Sequence, residues 1–303
     1  MHTLEIPDKK IVINFPEKVD ELSPEQAVFF MNQVMLYQAG TIDLSEFKIR
    51  IVYHLLGMKQ SWKYAAMLPE QKEQVWTNIY RLSEVIDSFF IPGKDSKGND
   101  TKVIDWNTTK NLLPVIGKFY GPADALLNLT FYEYKEAHSC YMQYYETKDE
   151  NFLNELIAIL YRQKKRFLFI LKYLPKYDGD IRRKFSPKTN PEYLAKRTAE
   201  ITKISPAEKQ IVVLYFGNCL NFISTGKINI DGKEIDLSIL FKKGSEEGSK
   251  SDIGMAGLLF TLAESKVFGN IDETADVNLY TVLARLYQLK MDSEELKRKY
   301  DKN

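Results

Sequence analysis

GPADALLNLTFYEYKEAHSCYMQYYETKDENFLNELIAILYRQKKR, residues 121–166, is where the chain declares itself helical. Pro122 suits a first helical turn, because its missing N–H would be unpaired there anyway, and a long helix is expected from it to about Glu146. A second is expected from Asp149 to Arg166, with Phe152, Leu156, Ile159 and Leu160 on its buried side. Tyr134, Tyr141 and Tyr145 trace one stripe of the first helix, while Tyr132 and Tyr144 lie elsewhere on it. Such a pair belongs in a mainly α fold.

Toward the N-terminus, Leu4, Ile6, Ile11, Ile13 and Phe15 alternate around Pro7-Asp8-Lys9-Lys10 as a short hairpin or extended arm. Ser23-Pro24-Glu25-Gln26 is a capping-box start, and Gly40 closes the helix that follows. Asp43 opens a second helix, whose Phe47, Ile51, Leu55 stripe runs to Gly57, and Pro69 begins a third that reaches about Ser88. Phe89 and Phe90 pair with Val103 and Ile104 around the polar insertion IPGKDSKGNDTK, residues 91–102. A helical stretch is expected from Asn107 to Gly117, bent at Pro114.

Toward the C-terminus, Ser205-Pro206-Ala207-Glu208 starts a helix that ends near Gly226. Asp231-Gly232, between Ile228, Ile230 and Ile235, Leu237, signals a hairpin. Helices are expected over 253–266 and 277–299. The sum is a mainly α, multi-helix bundle-like globule of about ten helices, with short β-hairpins near the N-terminus and around residues 228–237. Its expected organisation is an N-terminal helical lobe over 1–174, a basic linker over 175–205 and a C-terminal helical lobe over 206–303, or one continuous domain.

The 303 residues are 44% hydrophobic and 27% charged, with a net charge of +1, which suits a soluble globule and excludes a uniformly basic surface. No apolar run has the length of a signal peptide or a membrane span, so secretion and membrane insertion are not expected. Two cysteines, Cys140 and Cys219, make neither a disulfide framework nor a zinc spacing, and the expected location is cytoplasmic. Under the neutral total lies a local reversal. Residues 122–160 hold seven acids and two lysines, net −5, whereas 162–197 hold twelve basic residues and three acids, net +9.

Chemical motifs are missing. Neither phosphate-loop pattern nor a G-x-S-x-G elbow occurs, so no cofactor, metal or catalytic residue is assigned. His54 falls among apolar helix positions and reads as a core or boundary residue. Glu133, Glu136 and His138 are the one local cluster for an enzyme, yet offsets of five and two place them on different helix faces. Cys140 and His138, two apart, point away from each other.

Two constellations remain. Arg162, Lys164, Lys165 and Arg166 with Arg182, Arg183 and Lys184 are interleaved with Tyr161, Phe167, Phe169, Tyr173 and Tyr177. Cations for phosphates beside rings for bases make this a candidate single-stranded nucleic-acid surface. Its plainer reading is a solvated helix end whose charges pair with the preceding acidic helix. The second constellation is the tyrosine stripe, Tyr134, Tyr141 and Tyr145, a candidate protein-contact surface because amphipathic rings are enriched at interfaces. Here the plainer reading is core packing with phenol tips reaching solvent.

Three stretches also carry a resemblance: NFPEKVDELSPEQAVFFMNQVMLYQAGTIDLSEFKIRIVYHLLG (14–57), KFYGPADALLNLTFYEYKEAHSCYMQYYETKDENFLNELIAILYR (118–162) and LLFTLAESKVFGNIDETADVNLYTVLARLY (258–287). Together they resemble a family carried by tailed phages and prophage-like elements, whose helical members are similar to tail assembly chaperones. The resemblance implies a non-enzymatic assembly factor that keeps an elongated tape-measure-type protein soluble in the host cytoplasm. The partner it implies is a phage structural protein, and it carries no site residues. A nucleic-acid-binding protein and an uncharacterised helical enzyme with a site near Glu133, Glu136 and His138 are the alternatives.

Overall fold

The computed structural model describes residues 2–6, 11–58, 64, 66–94, 98–175, 177, 179–185, 191–230, 232–241 and 271–300. Among these the chain is mainly helical, and its strands form four two-stranded antiparallel hairpins. No helix among the described residues is long and apolar enough to cross a membrane. The chain divides into two compact units, Met1–Thr108 with Pro206–Leu214, and Thr109–Ser205 with Tyr215–Asn303. Residues 175–205, expected as a basic linker, therefore belong to the second unit, where the described part includes a buried arginine and a helix.

In the first unit, β1 (His2–Ile6) pairs with β2 (Ile11–Phe15), the expected N-terminal hairpin. Helix α1 (Pro24–Gln38) starts on the expected capping box: Gln26 N donates to Ser23 Oγ at 3.3 Å and Ser23 N donates to Gln26 Oε1 at 2.9 Å. Asp43 caps α2 (Leu44–Leu55) by accepting from Glu46 N at 2.8 Å. Gly40 and Gly57 end these helices at φ of +69° and +60°, a region a Cβ disfavours. Helix α3 (Pro69–Ser83) packs on α2 and passes into a 3-10 turn, Glu84–Phe89. Strands β3 (Phe90–Lys94) and β4 (Asp100–Ile104) pair with Phe90 opposite Ile104, as expected, but the ladder runs on into the polar insertion and Phe89 belongs to the 3-10 turn instead. Phe30 centres an aromatic core, its ring 5.7 Å from Phe47, 5.1 Å from Phe89 and 5.7 Å from Trp106.

The second unit corrects two expected helices. Residues 107–117 are not helical, because the Asn111 side chain offers the backbone other partners. Asn111 Oδ1 accepts from Leu113 N at 3.0 Å, Asn111 Nδ2 donates to Pro122 O at 2.7 Å, and Asn111 N donates to Asp124 Oδ1 at 2.8 Å. The chain then turns through the small hairpin β5 (Val115–Ile116) and β6 (Phe119–Tyr120). Gly121 is required where it stands, since a Cβ there would lie 2.6 Å from the buried Tyr161 ring. Pro122 likewise starts no long helix. A 3-10 turn over Asp124–Leu126 intervenes, and α4 (Phe131–Thr147) begins on Thr130, whose Oγ1 accepts from Glu133 N at 3.2 Å.

Helix α5 (Glu150–Leu160) packs along α4 and ends six residues before its expected limit. Arg162 leaves the helix because its backbone exchanges two hydrogen bonds with Tyr120, at 2.8 and 3.0 Å. After the short α6 (Leu168–Leu171) the chain returns antiparallel to itself, Lys164 bridging Arg182, and α7 (Pro191–Ile201) packs against α5. Helix α8 (Pro206–Thr225), of which only the part from Tyr215 belongs to this unit, leads into β7 (Lys227–Ile230) and β8 (Lys233–Asp236), the hairpin expected at Asp231-Gly232, and then α9 (Ser238–Phe241). The expected helix over 253–266 lies outside the described residues. Helices α10 (Ile271–Ala275) and α11 (Leu279–Tyr300) complete the unit, stitched to the start of α4 by Phe131 N to Val277 O at 2.8 Å and Leu279 N to Leu129 O at 2.9 Å.

Candidate functional site

Two of the seven cations expected to face nucleic acid are core residues. Arg162 and Arg182 are fully buried and share two carboxylates, Glu133 from α4 and Asp180 from the segment just before Arg182. Arg162 Nη1 donates to Glu133 Oε1 at 2.5 Å, while Arg182 Nη2 lies 2.7 Å from Asp180 Oδ2 and 3.4 Å from Glu133 Oε2. Arg182 also donates from Nη1 to Leu160 O at 2.9 Å and from Nη2 to Asn128 O at 3.1 Å, tying the end of α5 to the loop before α4. Burial pulls the Arg162 pKa down and the charge of Glu133 opposes it. Removed from solvent and paired, these two guanidiniums cannot contact a phosphate backbone as expected.

The other five cations have separate fates. Lys164 lies over the Tyr120 ring at 5.9 Å and Lys165 over Tyr177 at 5.4 Å. Lys184 is paired with Asp276 at 2.6 Å on an exposed site. Arg166 and Arg183 line one cleft. A continuous basic-aromatic track is therefore not what the fold builds from this stretch.

The tyrosine stripe runs from core to surface. Tyr134 is buried, Tyr141 is half-buried against Phe216 at 5.5 Å, and Tyr145 is exposed and stacked on Tyr141 at 6.4 Å. Burial raises the phenol pKa of both Tyr134 and Tyr141. Only the Tyr145 end of the stripe is offered to solvent, so Tyr134 is corrected from contact surface to core.

Glu133, Glu136 and His138 part ways, as their offsets require. Glu133 enters the arginine cluster, Glu136 pairs with Lys135 at 2.9 Å, and His138 packs beside Tyr134, its pKa lowered by burial. Among the described residues no three His, Cys, Asp or Glu side chains converge as a metal site would require. His54, expected as a core or boundary residue, is exposed in the last turn of α2, its ring stacked on Phe29 at 3.7 Å.

Both cysteines are buried thiols. Burial, then the charges of Glu155 and Glu136, push Cys140 up to about 12; burial, opposed by a hydrogen bond with Tyr215, pushes Cys219 up to about 12. A thiolate is the reactive species, so at about pH 8 neither should react with a thiol-specific disulfide reagent while the protein is folded. Titration should find both thiols only in denaturant, and fast modification of the native protein would contradict their burial.

The most exposed apolar feature among the described residues is α6 with its flanks. Phe167, Phe169, Ile170, Tyr173 and Leu174 are 68%, 70%, 53%, 88% and 50% exposed, and Leu168 alone in this segment is buried. Phe167 adopts φ of +55°, a left-handed turn that starts the helix. These rings were legible in the sequence as aromatics among cations. Their placement makes them an apolar projection, with Arg166 and Lys172, both exposed, next to them in the chain. In the first unit, Phe29, Tyr53, His54, Tyr64 and Trp76 line an aromatic cleft of about 640 Å³, where Trp76 Nε1 donates to Tyr64 Oη at 2.6 Å. Its residues come from four separate segments, α1, α2, the turn at Tyr64 and α3, which is why periodicity within any one of them did not reveal it.

No protein-family model matches the chain, and no curated protein or solved structure matches it.

Proposed function

We propose that the protein is a non-enzymatic assembly factor that holds an apolar segment of a partner protein on the projection at residues 167–174. The observation that carries this reading is the exposure of five large apolar side chains within eight residues. Leaving such a patch in water forgoes about 25 cal/mol for each Å² of apolar surface that could be covered, and contiguous exposed patches of this kind mark interaction sites. The cations next to it in the chain favour a partner with acidic residues beside its apolar ones. The resemblance to tail assembly chaperones supplies the partner class: a long tape-measure-type protein, held soluble in the host cytoplasm until a tube assembles around it.

The test is co-expression with a tape-measure-type protein from the same genetic element. The wild-type chain should keep that partner in the soluble fraction. The triple variant Phe167→Ser, Phe169→Ser, Tyr173→Ser should lose it to the pellet. Because all three side chains are exposed, the variant's own melting temperature should barely change, each substitution costing about 0.5 kcal/mol or less. Equal solubilisation by the variant would refute the assignment.

A further inference from the structure

The cleft that takes up Arg166 and Arg183 has the construction of an anion site. One wall is the face of α7 that carries Tyr193, Lys196, Arg197 and Glu200, at the three- and four-residue spacings that align side chains on a helix. The other is the antiparallel pair of extended segments bearing Gln163, Arg166 and Arg183, held in register by Lys165 N to Ile181 O at 2.8 Å and Arg183 N to Gln163 O at 2.9 Å. The space between the two walls is about 390 Å³, within the range of small-ligand sites.

Four cations line this space and one carboxylate joins them. That carboxylate, Glu200, is engaged by Lys118 at 2.7 Å, from outside the lining. Arg197 is the decisive member. It is 8% exposed, yet its Nε and Nη2 are buried and have no hydrogen-bond partner among the described residues. Its guanidinium lies 5.9 Å from the Phe185 ring, a contact that satisfies none of those N–H groups. Burial, with the charges of Arg162 and Arg183, pulls its pKa down to about 10. A buried guanidinium with two unused donors is costly unless an anion completes it, and Nε with Nη2 is the edge that accepts two oxygens at once.

We propose that this cleft binds a phosphate group, free or carried by a small nucleotide, with Arg197 as its buried ligand and Arg166, Arg183 and Lys196 completing the charge. A single carboxylate would be matched by one arginine, whereas four cations suit a dianion. Tyr193, half exposed at the same cleft, offers a ring face to a base.

The experiment is calorimetric titration of the full chain with inorganic phosphate, adenosine monophosphate, adenosine and a ten-residue oligothymidylate. The wild type is compared with Arg197→Met and, at the more exposed rim, Lys196→Gln. Phosphate or adenosine monophosphate should bind and adenosine should not, and whichever of the two binds tighter identifies the source. Arg197→Met should weaken that binding by about 10- to 100-fold, the effect expected for a charge-assisted pair of hydrogen bonds. It should also melt no lower than the wild type, because it removes an unpaired buried charge. If Arg197→Met fails to fold, Lys196→Gln carries the test with a smaller loss of the same sign. No binding of either phosphate compound, binding that survives both substitutions, or binding of the oligonucleotide alone would overturn the proposal. Neither variant touches Phe167, Phe169 or Tyr173, so this site and the docking projection fail separately.

Discussion

Replacing Glu133 by alanine should lower the stability of the protein by about 3–5 kcal/mol, the range for removing one partner of a buried ion pair. For a unit of this size that is a fall in melting temperature of roughly 6–20 °C. Arg162 and Arg182 are balanced charge for charge by Glu133 and Asp180, and both guanidiniums are fully buried. Without Glu133 one positive charge is left in the core with no counterion, and Arg162 loses its shortest hydrogen bond. Glu133→Gln keeps an acceptor and the side-chain volume, so its loss should be smaller. A loss under about 1 kcal/mol for the alanine variant would mean that water reaches the cluster.

The same cluster gives the protein an acid limit. Burial alone would push the Asp180 carboxyl up, but the hydrogen bonds and charge of Arg182 outweigh it and hold the group below its ordinary value. A carboxylate depressed in the folded state contributes stability that is complete above its unfolded pKa and is lost as pH falls through its folded one. The share of Asp180 should therefore be intact at neutral pH and disappear below about pH 4.

Phe30→Ala should cost the first unit about 3–5 kcal/mol, because it empties the position where three other aromatic rings meet. All three tryptophans of the chain fall within Met1–Thr108, so tryptophan fluorescence follows this unit specifically. The urea midpoint read by fluorescence should drop, whereas Phe30→Leu, which keeps most of the volume, should move it far less. A midpoint unchanged by Phe30→Ala would contradict the packing.

What was legible in the sequence was local. Ser23 with Gln26, Asp43 before its helix, and Asp231-Gly232 between alternating apolar residues each act within a few residues, so their elements stand where expected. Asn111 acts at longer range: its partners Pro122 and Asp124 lie 11 and 13 residues away, and helical periodicity around Pro114 conceals them. The basic stretch misled for the same reason. Arg162 and Arg182 stand in a run of charge that looks solvated, and their carboxylate Glu133 is 29 and 49 residues distant. One signal did exist: Glu133 shares its helix face with Ala137 and Cys140, so an acid on the apolar side of α4 required a buried cation.

The candidate surface divided along similar lines. Tyr134, Tyr141 and Tyr145 lie on one stripe as read, but α4 is covered along most of its length, and burial depends on neighbours that a single helix does not reveal. Phe167 to Leu174 carried the opposite ambiguity. An apolar run that dense normally enters a core, and only the fold shows it standing in solvent.

The docking claim is tested most directly by site-specific photocrosslinking. A benzophenone side chain is placed either at Phe169 or at Tyr145, both exposed, and the protein is irradiated with a tape-measure-type partner. A covalent adduct should form from position 169 and none from position 145. An adduct from position 145 alone, or from neither position, would contradict it.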